Sequence, residues 1–160
     1  MQPIHAKKSA LEQLQALFYG EQDWLANAAN LSAFIFERHS GLNWVGVYFL
    51  RGGELVLGPF QGKVACTRIA LSRGVCGLAA TTRRTQAVPD VQAFPGHIAC
   101  DPASRSEFVV PLVKEGRLLG VLDLDSPKPG HFSERLKKEV EAWAALYLEA
   151  SEFPNGPGPW

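Results

Sequence analysis

The stretch EFVVPLVKEGRLLGVLDLDS, residues 107–126, predicts a β-hairpin. Two runs of largely apolar residues flank the pair Glu115-Gly116, which suits a tight turn. Apolar runs of this length indicate strands that are buried within a sheet. This hairpin therefore supplies two strands of the predicted sheet.

A second hairpin precedes it in the chain. WVGVYFLR (44–51) and ELVLGPF (54–60) are rich in aromatic and β-branched residues, and Gly52-Gly53 lies between them as a turn. KVACTRIAL (63–71) predicts a further strand, and 86–88 a brief one. Consecutive hairpins without long crossovers predict a mainly antiparallel sheet.

Helices are predicted on both sides of these strands. Ser9 with Glu12 fits a capping box ahead of a leucine-rich segment, and an apolar stripe predicts a second helix over 22–38. Ser133 is a candidate N-cap for a last helix, and GLAATTRR (77–84) predicts a short one. The fold class is therefore α+β, an antiparallel central sheet flanked by N- and C-terminal helices.

The length of 160 residues suits a single domain, which we place over 1–150. Residues 151–160 are rich in proline and glycine and are predicted to be a disordered tail. Sixteen basic residues balance sixteen acidic ones, which disfavours nucleic-acid binding. No apolar run approaches the roughly 20 residues that span a bilayer, and no secretory signal is evident, so we expect a cytoplasmic protein.

The three cysteines, Cys66, Cys76 and Cys100, all lie in the middle of the chain. Nine and twenty-three residues separate them, so no C-x-x-C motif is present and any shared site must be assembled by the fold. The alternatives are a zinc site of three thiolates with His97, or small buried side chains. Burial suits Cys66 best, since it alternates within a predicted strand, and Cys100 least, since it lies in a loop. His97, three residues before Cys100, could lower the pKa of that thiol, but we favour its interpretation as a solvated loop histidine.

Carboxylates and aromatic residues supply the other candidates for a site. Asp123 and Asp125 are two apart, so they share one face of their strand, and the apolar residues around them indicate burial. Glu107 lies close to Cys100 in sequence. Trp44 and Tyr48 are four apart and share a strand face that could wall an apolar pocket. The alternative for Asp123 and Asp125 is a solvated strand end. The alternative for Trp44 and Tyr48 is ordinary core packing.

Several of these stretches together resemble a known family. They are WVGVYFL, GPFQGKVACTRI, RGVCGLAA, VPDVQAFPGHIACD, SEFVVPL and GVLDLDS. They are similar to the free methionine-(R)-sulfoxide reductases, which are built on the GAF domain, and the resemblance runs from about Asn43 to Phe132. It implies a GAF-like fold and an enzyme that reduces the R-sulfoxide of free methionine.

The resemblance also implies a role for each candidate residue. Cys100 in GHIACD matches the nucleophile, Cys66 the resolving cysteine, and Cys76 a third cysteine that acts as an alternative resolving or relay thiol. Further matches are three active-site carboxylates and two aromatic residues of the substrate pocket: Glu107, Asp123 and Asp125, then Trp44 and Tyr48.

The implied cycle leaves a disulfide between Cys100 and Cys66, which an external dithiol such as thioredoxin reopens. It needs no metal and no organic cofactor, and the family makes a homodimer plausible. Two other functions stay open: a GAF module that binds or senses a small molecule, and a structural zinc protein.

Overall fold

A six-stranded antiparallel sheet forms the middle layer of the protein. The structure, a computed structural model, describes residues 8–98 and 100–155. The strands are β1 (Trp44–Arg51), β2 (Glu54–Gly62), β3 (Arg68–Ala70), β4 (Gln86–Val88), β5 (Ser106–Lys114) and β6 (Arg117–Ser126). The helices are α1 (Ala10–Phe18), α2 (Trp24–Arg38), α3 (Gly74–Thr82) and α4 (Glu134–Ala150), and a 3-10 turn spans Val91–Ala93.

The strand order is β3-β2-β1-β6-β5-β4, and both predicted hairpins, β1–β2 and β5–β6, are confirmed. The two hairpins join where β1 pairs antiparallel with β6, so the start of β1 lies beside the end of β6. This arrangement confirms the α+β class with an antiparallel sheet between helices.

The caps of the long helices explain where they begin. Ser9 and Glu12 form the predicted capping box at α1. Asp23 accepts the backbone N–H groups of Leu25 and Ala26, so α2 begins at Trp24 rather than at the predicted residue 22. The Ser133 hydroxyl accepts the N–H of Leu136 at the start of α4, as predicted.

Each face of the sheet carries its own apolar cluster. Helices α1, α2 and α4 bury their stripes against one face, together with alternate strand residues such as Val45, Val47 and Leu122. On the other face α3 packs Val75 and Ala79 against a smaller cluster. The second face is the less fully covered by helices, and it carries the candidate site.

The strand predicted over 63–71 is wrong in its first half. Only Arg68–Ala70 pairs with β2, and Cys66 lies in the preceding loop. That loop is held instead by side chains of β1, because the Trp44 indole donates to the carbonyl of Lys63 and the Tyr48 hydroxyl donates to that of Cys66. The carbonyl groups of Lys63 and Cys66 are thus bonded to side chains of β1 and not to a neighbouring strand.

Helix α3 begins at Gly74, three residues before the predicted start, so Cys76 lies inside the helix. The chain leaves β3 through a tight turn, in which the N–H of Arg73 donates to the carbonyl of Ala70. A Cβ at Gly77 would lie 2.9 Å from the nitrogen of Ser72, so the close approach of helix and turn requires glycine there.

The first residues of the predicted disordered tail pack on the domain. Ser151 is buried, and Lys114 Nζ donates to its carbonyl oxygen at 2.7 Å. Arg117 donates to the carbonyl of Pro154, and Phe153 contacts the α1, α2 and α4 cluster. These contacts correct the prediction for 151–155, because they order the backbone there. Residues 1–7 and 156–160 lie outside the described part, so the domain limits and the rest of the tail stay predictions.

Within residues 8–98 and 100–155, every helix is too short or too polar to cross a membrane.

Candidate active site

The candidate site is a cavity between the open face of the sheet, α3 and the two loops that carry Cys66 and Cys100. It lies where the start of β1 meets the end of β6. Seven of the eight predicted site residues line it: Trp44, Tyr48, Cys76, Cys100, Glu107, Asp123 and Asp125. The eighth, Cys66, lies in the adjacent loop and is bonded to Cys100.

Strand register brings the three carboxyl groups together. Asp123 and Asp125 both face the cavity, as their spacing predicted. Glu107 on β5 is paired with Asp125 on β6, and Asp125 is in turn paired with Trp44 on β1. The antiparallel pairing therefore aligns Glu107, Asp125 and Trp44 in one row across three neighbouring strands.

Burial changes the proton affinity of this cluster. The residues Glu107 and Asp123 are only 6% and 5% exposed. Burial, with the nearby charge of Asp125, raises the pKa of Glu107 from its ordinary value of 4.5 to about 8. Burial and Glu107 raise the pKa of Asp123, and burial and Asp123 raise that of Asp125. At neutral pH, Glu107 therefore retains its proton and can act as an acid.

The third cysteine belongs to the acidic cluster and not to the disulfide. Cys76 is buried, and its Sγ lies 3.8 Å from Oε1 of Glu107. Burial and the charges of Asp123 and Glu107 raise the pKa of Cys76, so it is a neutral thiol and a poor nucleophile in this state. Its sulfur and one oxygen each of Glu107 and Asp123 lie within 4.8 Å of one another, a donor set that can hold a metal ion.

Cys66 and Cys100 form a disulfide with an S–S distance of 2.00 Å. This is the pairing that the family resemblance implied, across a sequence separation of 34 residues. Both residues are half-buried. The zinc site of three thiolates with His97 does not fit this arrangement, because two of the sulfurs are bonded to each other.

His97 is not the solvated loop residue that the sequence predicted. Its side chain is 16% exposed, and its Nε2 lies 3.6 Å from Oε2 of Glu107. Burial lowers the pKa of His97, so the ring tends to be neutral beside the protonated carboxyl. The sequence signal was its position three residues before Cys100, but only the fold brings the imidazole to Glu107.

Aromatic side chains form one wall of the cavity. The rings of Trp44 and Tyr48 stack with centroids 5.7 Å apart, and the ring of Phe60 also stacks with Trp44, at 5.5 Å. Gly46 lies between Trp44 and Tyr48 on the strand, and a Cβ there would come within 2.4 Å of the Trp44 ring. The missing side chain lets the indole lie flat along the sheet.

Residues that the sequence analysis did not single out hold the loop of Cys100. Asn43 donates through Nδ2 to Oδ2 of Asp101 at 3.0 Å and to the Ser104 hydroxyl at 3.1 Å. Its own backbone N–H donates to the carbonyl of Asp125. Asn43 therefore ties this loop to the end of β6, a long-range contact that no local pattern indicates.

The six-stranded order, the three helices on one face, and the cavity beside α3 on the other face together define a GAF-class domain. The family model described as "GAF domain" matches residues 25–147, which covers every element from α2 to most of α4.

Named relatives narrow this class. The chain is 52% identical over 119 residues to the free methionine-R-sulfoxide reductase of Escherichia coli, covering 74% of this chain and 72% of the relative. It is 42% identical over 159 residues to the enzyme of the same name in Saccharomyces cerevisiae, covering 92% and 88%. The crystal structure of the Neisseria meningitidis free methionine-R-sulfoxide reductase with its substrate superposes with a TM-score of 0.85, at 42% identity, over 94% of this chain and 95% of that one. The chain belongs to the free methionine-R-sulfoxide reductase family, a group of oxidoreductases.

Proposed function

We propose that this protein reduces the R-sulfoxide of free methionine to methionine, with Cys100 as the nucleophile. The observation that carries the proposal is the Cys66–Cys100 disulfide beside a cavity that three carboxyl groups line. Three relatives or neighbours at 42–52% identity bear the name of this activity, and one of them was solved with its substrate.

In the first step, the Cys100 thiolate attacks the sulfoxide sulfur. A sulfur–sulfur bond between Cys100 and the substrate forms first. The protonated oxygen then moves from the substrate sulfur to the Cys100 sulfur, so the sulfur–oxygen bond of the substrate and the new sulfur–sulfur bond both break. Methionine leaves as the thioether, and Cys100 is left as a sulfenic acid. The substrate sulfur is reduced and the cysteine sulfur is oxidised by two electrons. Cys100 lines the cavity in the disulfide-bonded structure, so after reduction its thiolate is placed to meet a substrate there.

The departing oxygen requires a proton, because a bare oxide is a poor leaving group. Glu107 is our candidate donor, since burial raises its pKa to about 8 and its carboxyl then carries a proton at neutral pH. Asp123 is the alternative donor, because it is equally buried and its pKa is also raised. Each turnover needs one proton donor. With Glu107 and Asp123 as the two candidate donors, Asp125 remains to bind the substrate.

The remaining negative charge can hold the ammonium group of the amino acid. Asp125 is the most exposed of the three carboxyls and faces the cavity from the end of β6. Backbone N–H groups at the start of α3, near Gly74, are candidates for the substrate carboxylate. A methionine within a peptide offers neither free group, so these contacts select the free amino acid.

The aromatic wall supplies the contact with the apolar end of the substrate. Trp44 and Tyr48 present ring faces to the cavity. Packing of the methyl group against Trp44 fixes which side of the sulfur carries the oxygen, and this selects one epimer.

Resolution uses the second cysteine. The thiol of Cys66 attacks the sulfenic sulfur of Cys100, water leaves, and the disulfide forms. An external dithiol, with thioredoxin as the proposed reductant, reduces it by exchange and is itself oxidised to a disulfide. Cys76 stays an alternative relay thiol, although its burial beside Glu107 makes it the less reactive of the two.

The cycle as proposed consumes only substrate and dithiol, without a metal or organic cofactor. A homodimer and a cytoplasmic location stay predictions.

Thioredoxin-coupled turnover of the two epimers of free methionine sulfoxide tests the proposal. We expect turnover of the R epimer alone, its loss in Cys100→Ser, and no turnover of methionine sulfoxide within a blocked peptide. Glu141→Gln is the matched control, since it changes an exposed carboxyl on α4 that does not line the cavity. Equal rates on both epimers, or an unimpaired Cys100→Ser variant, would contradict the proposed chemistry.

A further inference from the structure

Cys76, Glu107 and Asp123 form a compact set of metal-binding atoms at the floor of the cavity. One ligand atom from each, a sulfur and two carboxyl oxygens, lies within 4.8 Å of the others, and all three residues are buried. They come from three different elements, α3, β5 and β6. The spacing is therefore a product of the fold, and neighbouring sequence does not create it.

One carboxyl oxygen of these three residues has no hydrogen-bond partner among the described residues. Oδ1 of Asp123 is buried and accepts no hydrogen bond from the described residues, and the residue is only 5% exposed. A buried acceptor without a donor costs about 1–3 kcal/mol, more when it is charged. A cation bound at this position would satisfy Oδ1 and separate the two carboxyl groups at the same time.

We propose that Cys76, Glu107 and Asp123 bind one thiophilic divalent cation, Zn²⁺, with a water molecule as the fourth ligand. Zinc is a borderline-soft ion, so it binds both sulfur and oxygen. One thiolate, two carboxylate oxygens and the water would complete its tetrahedral coordination. Its bond lengths set neighbouring ligand atoms about 3.5 Å apart, so a pair at the 4.8 Å limit would have to close by about 1.3 Å, and the Cys76 sulfur and Glu107 Oε1, which are 3.8 Å apart, by much less.

The site uses neither of the other two cysteines as a ligand. All three cysteines lie in the described ranges, and Cys76 is the free thiol when Cys66 and Cys100 are bonded. In the oxidised protein, a metal–thiolate bond can therefore come from Cys76 alone. This distinguishes the site from a structural zinc centre built on three thiolates.

The cation would act against the reductase, and this consequence rests on the proposed function. It would occupy both candidate proton donors, Glu107 and Asp123, in the cavity that receives the substrate. Zinc and methionine sulfoxide would therefore exclude each other. The metal is an inhibitory ligand in this proposal and has no part in the reduction.

Cobalt(II) titration of the oxidised protein, with the disulfide intact, tests the site directly. Cobalt replaces zinc in such sites, and its bond to a thiolate gives a charge-transfer band in the near ultraviolet that carboxylate or imidazole ligation lacks. We expect one equivalent per chain, the sulfur band, and displacement by Zn²⁺. Absence of the band in the wild-type oxidised protein would overturn the proposal.

Variants localise the band. Cys76→Ser should abolish it, and Asp123→Asn should weaken cobalt affinity by at least about tenfold through loss of a charged ligand. Glu141→Gln, an exposed carboxyl on α4, is the matched control and should bind as the wild type does. Circular dichroism checks the fold of each variant. A sulfur band that survives in folded Cys76→Ser would refute the assignment.

A double variant, Cys66→Ser with Cys100→Ser, retains Cys76 and cannot turn over, so it separates the two proposals. Addition of free methionine (R)-sulfoxide should release the cobalt and remove the band. A band that substrate does not displace would contradict the mutual exclusion, while the metal site itself would stand on the titration. Loss of reductase activity in the wild type would instead contradict the proposed function, since the cobalt experiment needs no turnover.

Discussion

Replacement of Glu107 by glutamine tests whether the fold keeps a proton on this carboxyl. The side chain is 6% exposed, and its pKa rises from an ordinary 4.5 to about 8. The native protein therefore holds a proton between these two pH values that the unfolded chain has lost. The contribution of Glu107 to the free energy of unfolding of the wild type must therefore fall as the pH rises through this window, by about 1.4 kcal/mol per pH unit.

The full window corresponds to about 5 kcal/mol, an upper limit that any relaxation around the charged carboxylate reduces. Glutamine has nearly the same shape and no proton to lose. The advantage of Glu107→Gln over the wild type should therefore grow from pH 5 to pH 8. Stability from the native acid is fully present below pH 4.5 and has been lost above pH 8.

Urea unfolding, followed by tryptophan fluorescence at each pH with the disulfide intact, measures this difference. Glu141→Gln is the matched control, because its carboxyl is exposed on α4. A difference between Glu107→Gln and the wild type that stays constant with pH would refute the burial argument. So would a wild type that gains stability relative to the variant as the pH rises.

Other substitutions probe separate parts of the structure. Gly46→Ala places a Cβ within 2.4 Å of Trp44, so steady-state kinetics should show a raised KM with a smaller change in kcat. Cys66→Ser should release one equivalent of methionine per chain in a rapid-quench burst and then turn over much more slowly with thioredoxin, since only the buried Cys76 remains as an alternative resolving thiol. Asn43→Ala removes two hydrogen bonds to the loop of the proposed nucleophile, and thermal unfolding should show a loss of about 1–2 kcal/mol with a reduced kcat. Ser9→Ala should cost about 1 kcal/mol through loss of the α1 cap, with turnover unchanged.

Local patterns were sufficient for most of the secondary structure. The hairpin turn at Glu115-Gly116 adopts positive φ at both residues, which the glycine and the polar residue before it permit. Alternation along β6 correctly placed Asp123 and Asp125 on one face, because a strand has a period of two whatever it packs against. The N-cap residues Ser9 and Ser133 correctly predicted where α1 and α4 begin, because an N-cap depends only on residues within three positions along the chain.

The composition of the acidic cluster was not predictable in this way. Cys76 meets Glu107 only because α3 packs across β5 and β6, a contact between residues 31 apart. His97 reaches the same carboxyl from an irregular loop, where no periodicity indicates direction. The disulfide was anticipated through the family resemblance, since spacing alone left several pairings and a zinc site open.

The position of the acids within the sheet explains how a carboxyl can stay protonated so close to solvent. Glu107 and Asp125 are direct cross-strand partners, an arrangement that is unfavourable when both are charged. The backs of the same strands carry Phe108 and Leu124, which are buried against the helices and fix the register. A shift of one residue would relieve the repulsion and expose this core, so the strands cannot slip. The apolar core therefore holds the acids together, and protonation is the way in which the cluster lowers its own repulsion.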